Sequence, residues 1–161
     1  MTQRIALLGA GNTITIAAGT NATQGSFALL DYELAPGYGG LPPHIHWHED
    51  EAVYVLEGQL LAWLGARERL LGPREFALLP RGIVHAQYNP GPEPARFLSL
   101  LVPAGFEQCF EELDALLDGE PSFSPEAIAP LLARYGVQSV PTTESCDTSV
   151  ASSAPQPYPP R

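Results

Sequence analysis

Lysine is absent from this chain of 161 residues, and its eight arginines face eighteen aspartates and glutamates. The resulting net charge of −10 repels phosphate backbones and anionic membrane surfaces, and no basic cluster offsets it. Nucleic acid is therefore excluded as a partner, and a dissolved small molecule or a protein is expected instead. Cysteine is scarce too: Cys109 and Cys146 make no disulfide framework, so a reducing cytoplasm is the expected compartment. No apolar run approaches the roughly 20 residues of a membrane-spanning helix, and the run at 5–8 is too short for the core of a secretory signal. No helix-turn-helix segment is present. Histidine is the informative scarcity. The chain has four, at 44, 46, 48 and 85, and none elsewhere.

With 45% apolar residues the chain supports one domain and a real core. From about residue 5 to 102 it reads as short strands, at 14–16, 26–34, 52–56, 59–64, 76–79 and 96–102, separated by Gly-, Pro- and Asn-rich turns. That spacing predicts an all-β sandwich or small barrel, here bounded at 1–103. The texture then changes. Phe106, Cys109, Phe110, Leu113, Leu116 and Leu117 form the apolar stripe of one helix; Ile128, Leu131, Leu132 and Tyr135 form that of a second, with Ser124 as its N-cap, Pro125 at its first position and Pro130 as an interruption. The two make up a helical extension at 104–137, laid on the outside of the barrel. The Ser-, Thr- and Pro-rich segment 138–161 is expected to be a flexible tail.

The histidines sit where one ion can gather them. Pro42 and Pro43 favour an extended approach to His44, and in an extended segment His44 and His46 face the same side. Glu51 follows after a gap that allows a turn and a return strand. His85 lies on a strand between the turns Arg81-Gly82 and Asn89-Pro90. Imidazole nitrogen and carboxylate oxygen suit one divalent transition metal per chain, whether iron, nickel, cobalt, manganese, copper or zinc. His48 shares the facing of His46 but is an extra by spacing, with a surface or supporting role. Trp47 and Tyr54 are expected to be packing residues.

These two segments resemble the paired motifs of the cupin family. In the first, two histidines one apart are followed by four residues, a glutamate, six residues and Gly58; in the second, Pro80, Gly82, His85 and Asn89 stand at the family's intervals. The resemblance implies a double-stranded β-helix (jelly-roll) barrel with one or two outer helices, metal ligands at His44, His46, Glu51 and His85, and a homodimer. Two turn glycines of the pattern are replaced, by Tyr38 and Arg74. The phrases around residues 42–58, Leu79-Pro80-Arg81-Gly82, Pro103-Ala104-Gly105-Phe106-Glu107 and Arg134-Tyr135-Gly136 look like bacterial single-domain cupins related to quercetin dioxygenase.

That resemblance implies a dioxygenase cleaving a flavonol or related enolic aromatic, with dioxygen as co-substrate. Glu51 is the expected catalytic base as well as a ligand. Strand alternation from Glu51 and His85 places Val53, Val55, Ile83 and Gln87 on the substrate side, Gln87 being the polar one. The same ligands also suit a metal-assisted isomerase or cyclase of a small sugar or polyketide, and a third reading is a non-catalytic small-molecule binder.

Overall fold

The computed structural model describes residues 3–6, 12–117 and 125–140. The element order is β1 (Gln3–Ala6), β2 (Thr13–Ala18), α1 (Thr20–Thr23), β3 (Ala28–Leu34), β4 (His44–His46), β5 (Asp50–Glu57), β6 (Leu60–Leu64), β7 (Arg67–Leu71), β8 (Phe76–Leu79), β9 (His85–Tyr88), β10 (Ala95–Val102), α2 (Glu107–Leu117), α3 (Pro125–Arg134) and β11 (Val137–Ser139). One antiparallel sheet runs β1-β2-β3-β10-β5-β8 and the other β11-β4-β9-β6-β7. They pack face to face as a jelly roll. Strict alternation in β5, β9 and β10 sends Glu51, Val53, Val55, His85, Gln87, Phe97 and Ser99 inward and leaves Tyr54 and Tyr88 outside.

The interior divides into two clusters. At one end Leu34, Val53, Val55, Leu60, Ala62, Leu71, Ala77, Leu79 and Phe97 pack strand against strand. At the other, strand residues such as Ile14, Leu30 and Leu101 pack against Phe106, Cys109, Phe110, Leu113, Ile128, Leu131 and Leu132 of the helical segment. The helices are thus a wall of the core. Of the predicted stripes, Phe106, Cys109, Phe110, Leu113, Ile128, Leu131 and Leu132 are buried and Tyr135 partly so, whereas Leu116 points out and is 67% exposed. Ser124, the proposed cap, lies outside the described residues, and Pro130 sits inside α3 on its exposed side. Arg134 and Tyr135 both bond Glu112, which ties α3 to α2.

Three sequence expectations are revised. β7, with the sequence Arg-Glu-Arg-Leu-Leu, is a strand that reads as a loop because it is an edge with charged side chains, a usual defence against edge pairing. The tail boundary at 138 is moved, because Gln138 and Ser139 belong to β11 and pair with Ile45 and His44. Residues 141–161 lie outside the described residues. Trp47 and Tyr54 are exposed rather than packed.

The two substituted turn glycines have separate solutions. At Tyr38 the neighbouring Gly37 takes the positive φ of 73°, so the tyrosine is under no strain. Arg74 itself takes φ 71°, a conformation costly for any residue with a Cβ. Gly58 of the first motif is required for space as well as φ, since a methyl group there would collide with the Pro94 carbonyl oxygen. Among the described residues no helix is long and apolar enough to cross a membrane.

Candidate metal centre

His44 and His85 are direct cross-strand partners on β4 and β9, so their rings share one face, with centroids 4.6 Å apart. His46 follows His44 by two residues on that face, and its ring lies parallel to that of His85. Glu51 comes from β5 on the opposite sheet and is directed at the three imidazoles across the barrel. The turn before β9 is pinned in place by Gly82, whose N–H donates to the His46 carbonyl, and by a two-pronged Arg81–Asp50 pair. Asn89 closes the far end, donating to the carbonyls of Leu34, Ala35 and Glu93. Its role is to shape the turn.

The four side chains are buried, and each offers one ligand atom within 4.8 Å of all the others. Nε2 of His44 lies 3.2 Å from Nε2 of His46; Oε2 of Glu51 lies 3.3 Å from Nε2 of His85 and 3.9 Å from Nε2 of His46. The opposite ring nitrogens face away and are each occupied. Nδ1 of His44 meets the Pro42 carbonyl at 2.8 Å, Nδ1 of His85 the Ile83 carbonyl at 2.9 Å, and Nδ1 of His46 the Glu49 carboxylate at 3.2 Å. A carbonyl only accepts, so these contacts place the ring proton on Nδ1 and leave a lone pair on Nε2. Outer partners of this kind orient metal-binding histidines.

Glu51 is oriented in the same manner. Its Oε1 accepts from the Ser99 hydroxyl at 2.7 Å and the Gln87 amide at 3.0 Å, which turns Oε2 toward the imidazoles. Nε2 of His85 is fully buried and has no hydrogen-bond partner, with the Glu51 carboxylate 3.3 Å away as its one charged neighbour among the described residues. A buried, unpartnered ring nitrogen is costly unless something electrophilic meets it. The donor set therefore fits a transition metal bound by three imidazoles and a carboxylate.

Protonation agrees with that fit at His44 and Glu51. Burial, helped by His85 and His46, holds His44 down at about 3, so it stays neutral. Burial pushes the Glu51 carboxyl up, but His85, His46 and the Ser99 hydroxyl outweigh it, and the group sits at about 2. Burial lowers His85, and Glu51 more than offsets this, leaving its pKa raised.

The open side of the cluster is lined by Tyr32, Leu41, Gln87, Leu101 and Phe106 around a cavity of about 10 Å³, space for one water or ion. The Tyr32 ring stacks on Phe97 at 4.9 Å, and burial, followed by the Glu51 charge, raises its phenol well above the usual 10. Of the residues expected on the substrate side, Gln87 borders this cavity. Val53 and Val55 face inward but pack in the strand-closed cluster. Ile83 is 41% exposed, because it lies in the turn before β9, where no pleat sets its direction. His48 is exposed, its ring against Gly136, and stays out of the cluster. Glu49 and Ser99, which orient the ligands, are not among the residues expected at the site. The signal for Ser99 is a polar residue at an inward position of an apolar strand.

Fold and site together give a jelly-roll barrel of the cupin type with four converging side chains that could hold a metal ion. Residues 30–101 match the cupin domain family. The chain is 42% identical over 86 residues to germin-like protein subfamily 2 member 2 from Arabidopsis thaliana, and 40% identical over 86 residues to the rhicadhesin receptor from Pisum sativum. Each match covers 50% of this chain and 38% of the relative, so the chain spans well under half the length of these curated relatives. Among solved structures, KdgF from Halomonas sp. aligns with a TM-score of 0.56 at 21% identity, over 67% of this chain and 90% of that one. The cupin-superfamily sugar phosphate isomerase from Silicibacter pomeroyi aligns at 0.54 and 24%, over 63% and 71%. The polyketide cyclase RemF from Streptomyces resistomycificus aligns at 0.54 and 25%, over 63% and 73%.

Proposed function

We propose that this cupin is a metal-dependent dioxygenase that takes a substrate through an acidic, enol-like hydroxyl, with flavonols as the bulkiest members of that class. The observation that carries this reading is the set of three Nε2 atoms and one carboxylate oxygen converging with their far sides tied back, the Nε2 of His85 having no partner of its own. One divalent transition metal, when bound, supplies Lewis acidity that favours the anionic form of such a hydroxyl while keeping a position open to ligands.

The chain's own groups do the remainder. His44, His46, His85 and Oε2 of Glu51 hold the ion. Glu51 is assigned to receive the substrate proton; with Ser99 and Gln87 stabilising its anion, it is a weak base matched to a strongly acidic enol. Tyr32 keeps its phenolic proton and offers a donor at the open side. Leu41, Leu101 and Phe106 exclude water.

A redox-neutral isomerase or cyclase is the second reading, favoured by the likeness to RemF. Oxygen uptake separates them. Metal-loaded protein given quercetin or smaller enols should consume oxygen, and Glu51→Gln should abolish this. Turnover without oxygen would replace the oxygenase with the isomerase reading, and binding without turnover would leave a binder.

Pairing into a homodimer is assigned to the outer face of the first sheet, where the cross-strand neighbours Tyr54 and Phe76 are both exposed. Sedimentation at twice the chain mass, lost in Tyr54→Glu, tests it. A reducing, cytoplasmic setting is consistent with Cys109, a buried free thiol that burial pushes up to about 12.

A further inference from the structure

We propose that Phe106 sets the size of ligand the metal centre admits, and that in its present position it restricts the open side to ligands of a few heavy atoms. This rests on the metal-centre reading above and narrows its substrate class to small enols, with flavonols admitted only when the Phe106 side chain moves aside.

Five residues line the cavity besides the ligands, and four belong to the barrel or its loops: Tyr32, Leu41, Gln87 and Leu101. Those on strands are fixed by sheet hydrogen bonds, and Gln87 and Tyr32 are further held by Glu51 and by Phe97. Phe106 alone comes from the helical segment. Its ring, 2% exposed, meets the His46 imidazole edge-on at 4.6 Å with an interplanar angle of 89°, and it packs against Phe110 behind it at 5.0 Å. That ring fills the volume a six-membered substrate ring would need next to the ligand cluster. The space left is about 10 Å³. A triatomic anion needs only a few atoms' worth of room beyond that, whereas an aromatic enol requires the side chain to leave.

The ring makes no hydrogen bond, but the backbone on either side of it is anchored. The buried Glu107 carboxylate accepts from the N–H of Gly105 at 2.7 Å through Oε2, and from the N–H and hydroxyl of Thr20 through Oε1. The Ala104 N–H donates to the Gly25 carbonyl. Truncating Phe106 therefore removes the plug and leaves its mount in place. The ring is a selector carried on a separate, tethered element.

Ligand binding to the cobalt(II)-loaded protein, read from its visible absorption bands, tests this without turnover. Azide serves as the small probe and catechol as the ring-bearing one, in wild type, Phe106→Ala and Phe106→Leu. Leucine keeps the position apolar and folded if alanine proves too destabilising. Azide should perturb the bands of all folded forms at similar concentrations. Catechol should bind roughly tenfold or more tightly once the ring is shortened. Equal catechol affinity in wild type and the leucine variant, or azide and catechol tightening together, would overturn the size selection and leave the metal centre standing. Absence of cobalt bands in folded wild type would overturn the metal centre, and the selection with it.

Discussion

The two ends of the barrel share β3 and β10 but are closed by different means. One end is sealed by aliphatic side chains of the strands themselves, from Val53 and Val55 to Leu60, Leu71 and Leu79, with no titratable group among them. The other is sealed by α2, α3 and Phe106, elements outside the sheets, held by apolar contact and by the buried Glu107. The metal-ligand cluster is next to this second closure. A seal made of strands cannot open without breaking sheet hydrogen bonds, whereas one made of a tethered helix can loosen alone. The four side chains that could hold a metal thus lie at the end where access can be adjusted.

Substitutions at the two ends should behave differently, and the contrast can be broken in order of effect. His85→Ala should abolish one-to-one metal uptake, measured by elemental analysis, while the chain stays folded. Leu60→Ala, at the strand-sealed end, should cost about 2–5 kcal/mol in denaturant unfolding without changing metal content per folded chain. If it depleted the metal, the two ends would be one unit. Glu49→Ala removes the acceptor that orients His46 and should weaken metal affinity roughly 10–100-fold, read by chelator competition, with little effect on folding.

Acid should act at the ligand end too. His44 is held at about 3 in the fold against 6.5 when unfolded, so between these values the unfolded chain binds the extra proton. Stability of the metal-free protein should fall as pH drops through that window, by up to ~1.4 kcal/mol per pH unit for this group. His85, raised in the fold, is protonated in both states there and does not cancel it. His44→Gln should flatten the slope between pH 6.5 and 4.5, below which Glu51, held at about 2, adds a slope of the same sign; an unchanged slope in the upper range would place the acid sensitivity elsewhere. The smallest effect is expected at Arg74→Gly beside the strand-sealed end, where relief of the positive φ should stabilise by about 0.5–1 kcal/mol in thermal unfolding, with metal affinity unchanged.

Much of this was legible because short-range rules apply to it. Alternation in an extended run puts His44 and His46 on one face, and the motif intervals bring in Glu51 and His85. The helix stripes follow from periodicity. What was not legible depends on distant parts of the chain. β7 and β11 exist because another strand offers a partner, and neither carries an apolar alternation of its own. Ile83 was misplaced because the pleat begins only at His85. Glu49 is seen as an orienting group only when the chain turns back after β4, and Ser99 only when β10 lies beside β5. Phe106 reads as ordinary helix stripe until α2 is seated against His46.

The central claim is that these four side chains form one transition-metal site, and titration of metal-stripped protein with cobalt(II) tests it most directly. The account predicts visible d–d bands that saturate at one cobalt per chain and are absent in His85→Ala. Folded wild type that shows no bands, or bands that survive unchanged in His85→Ala, would contradict it.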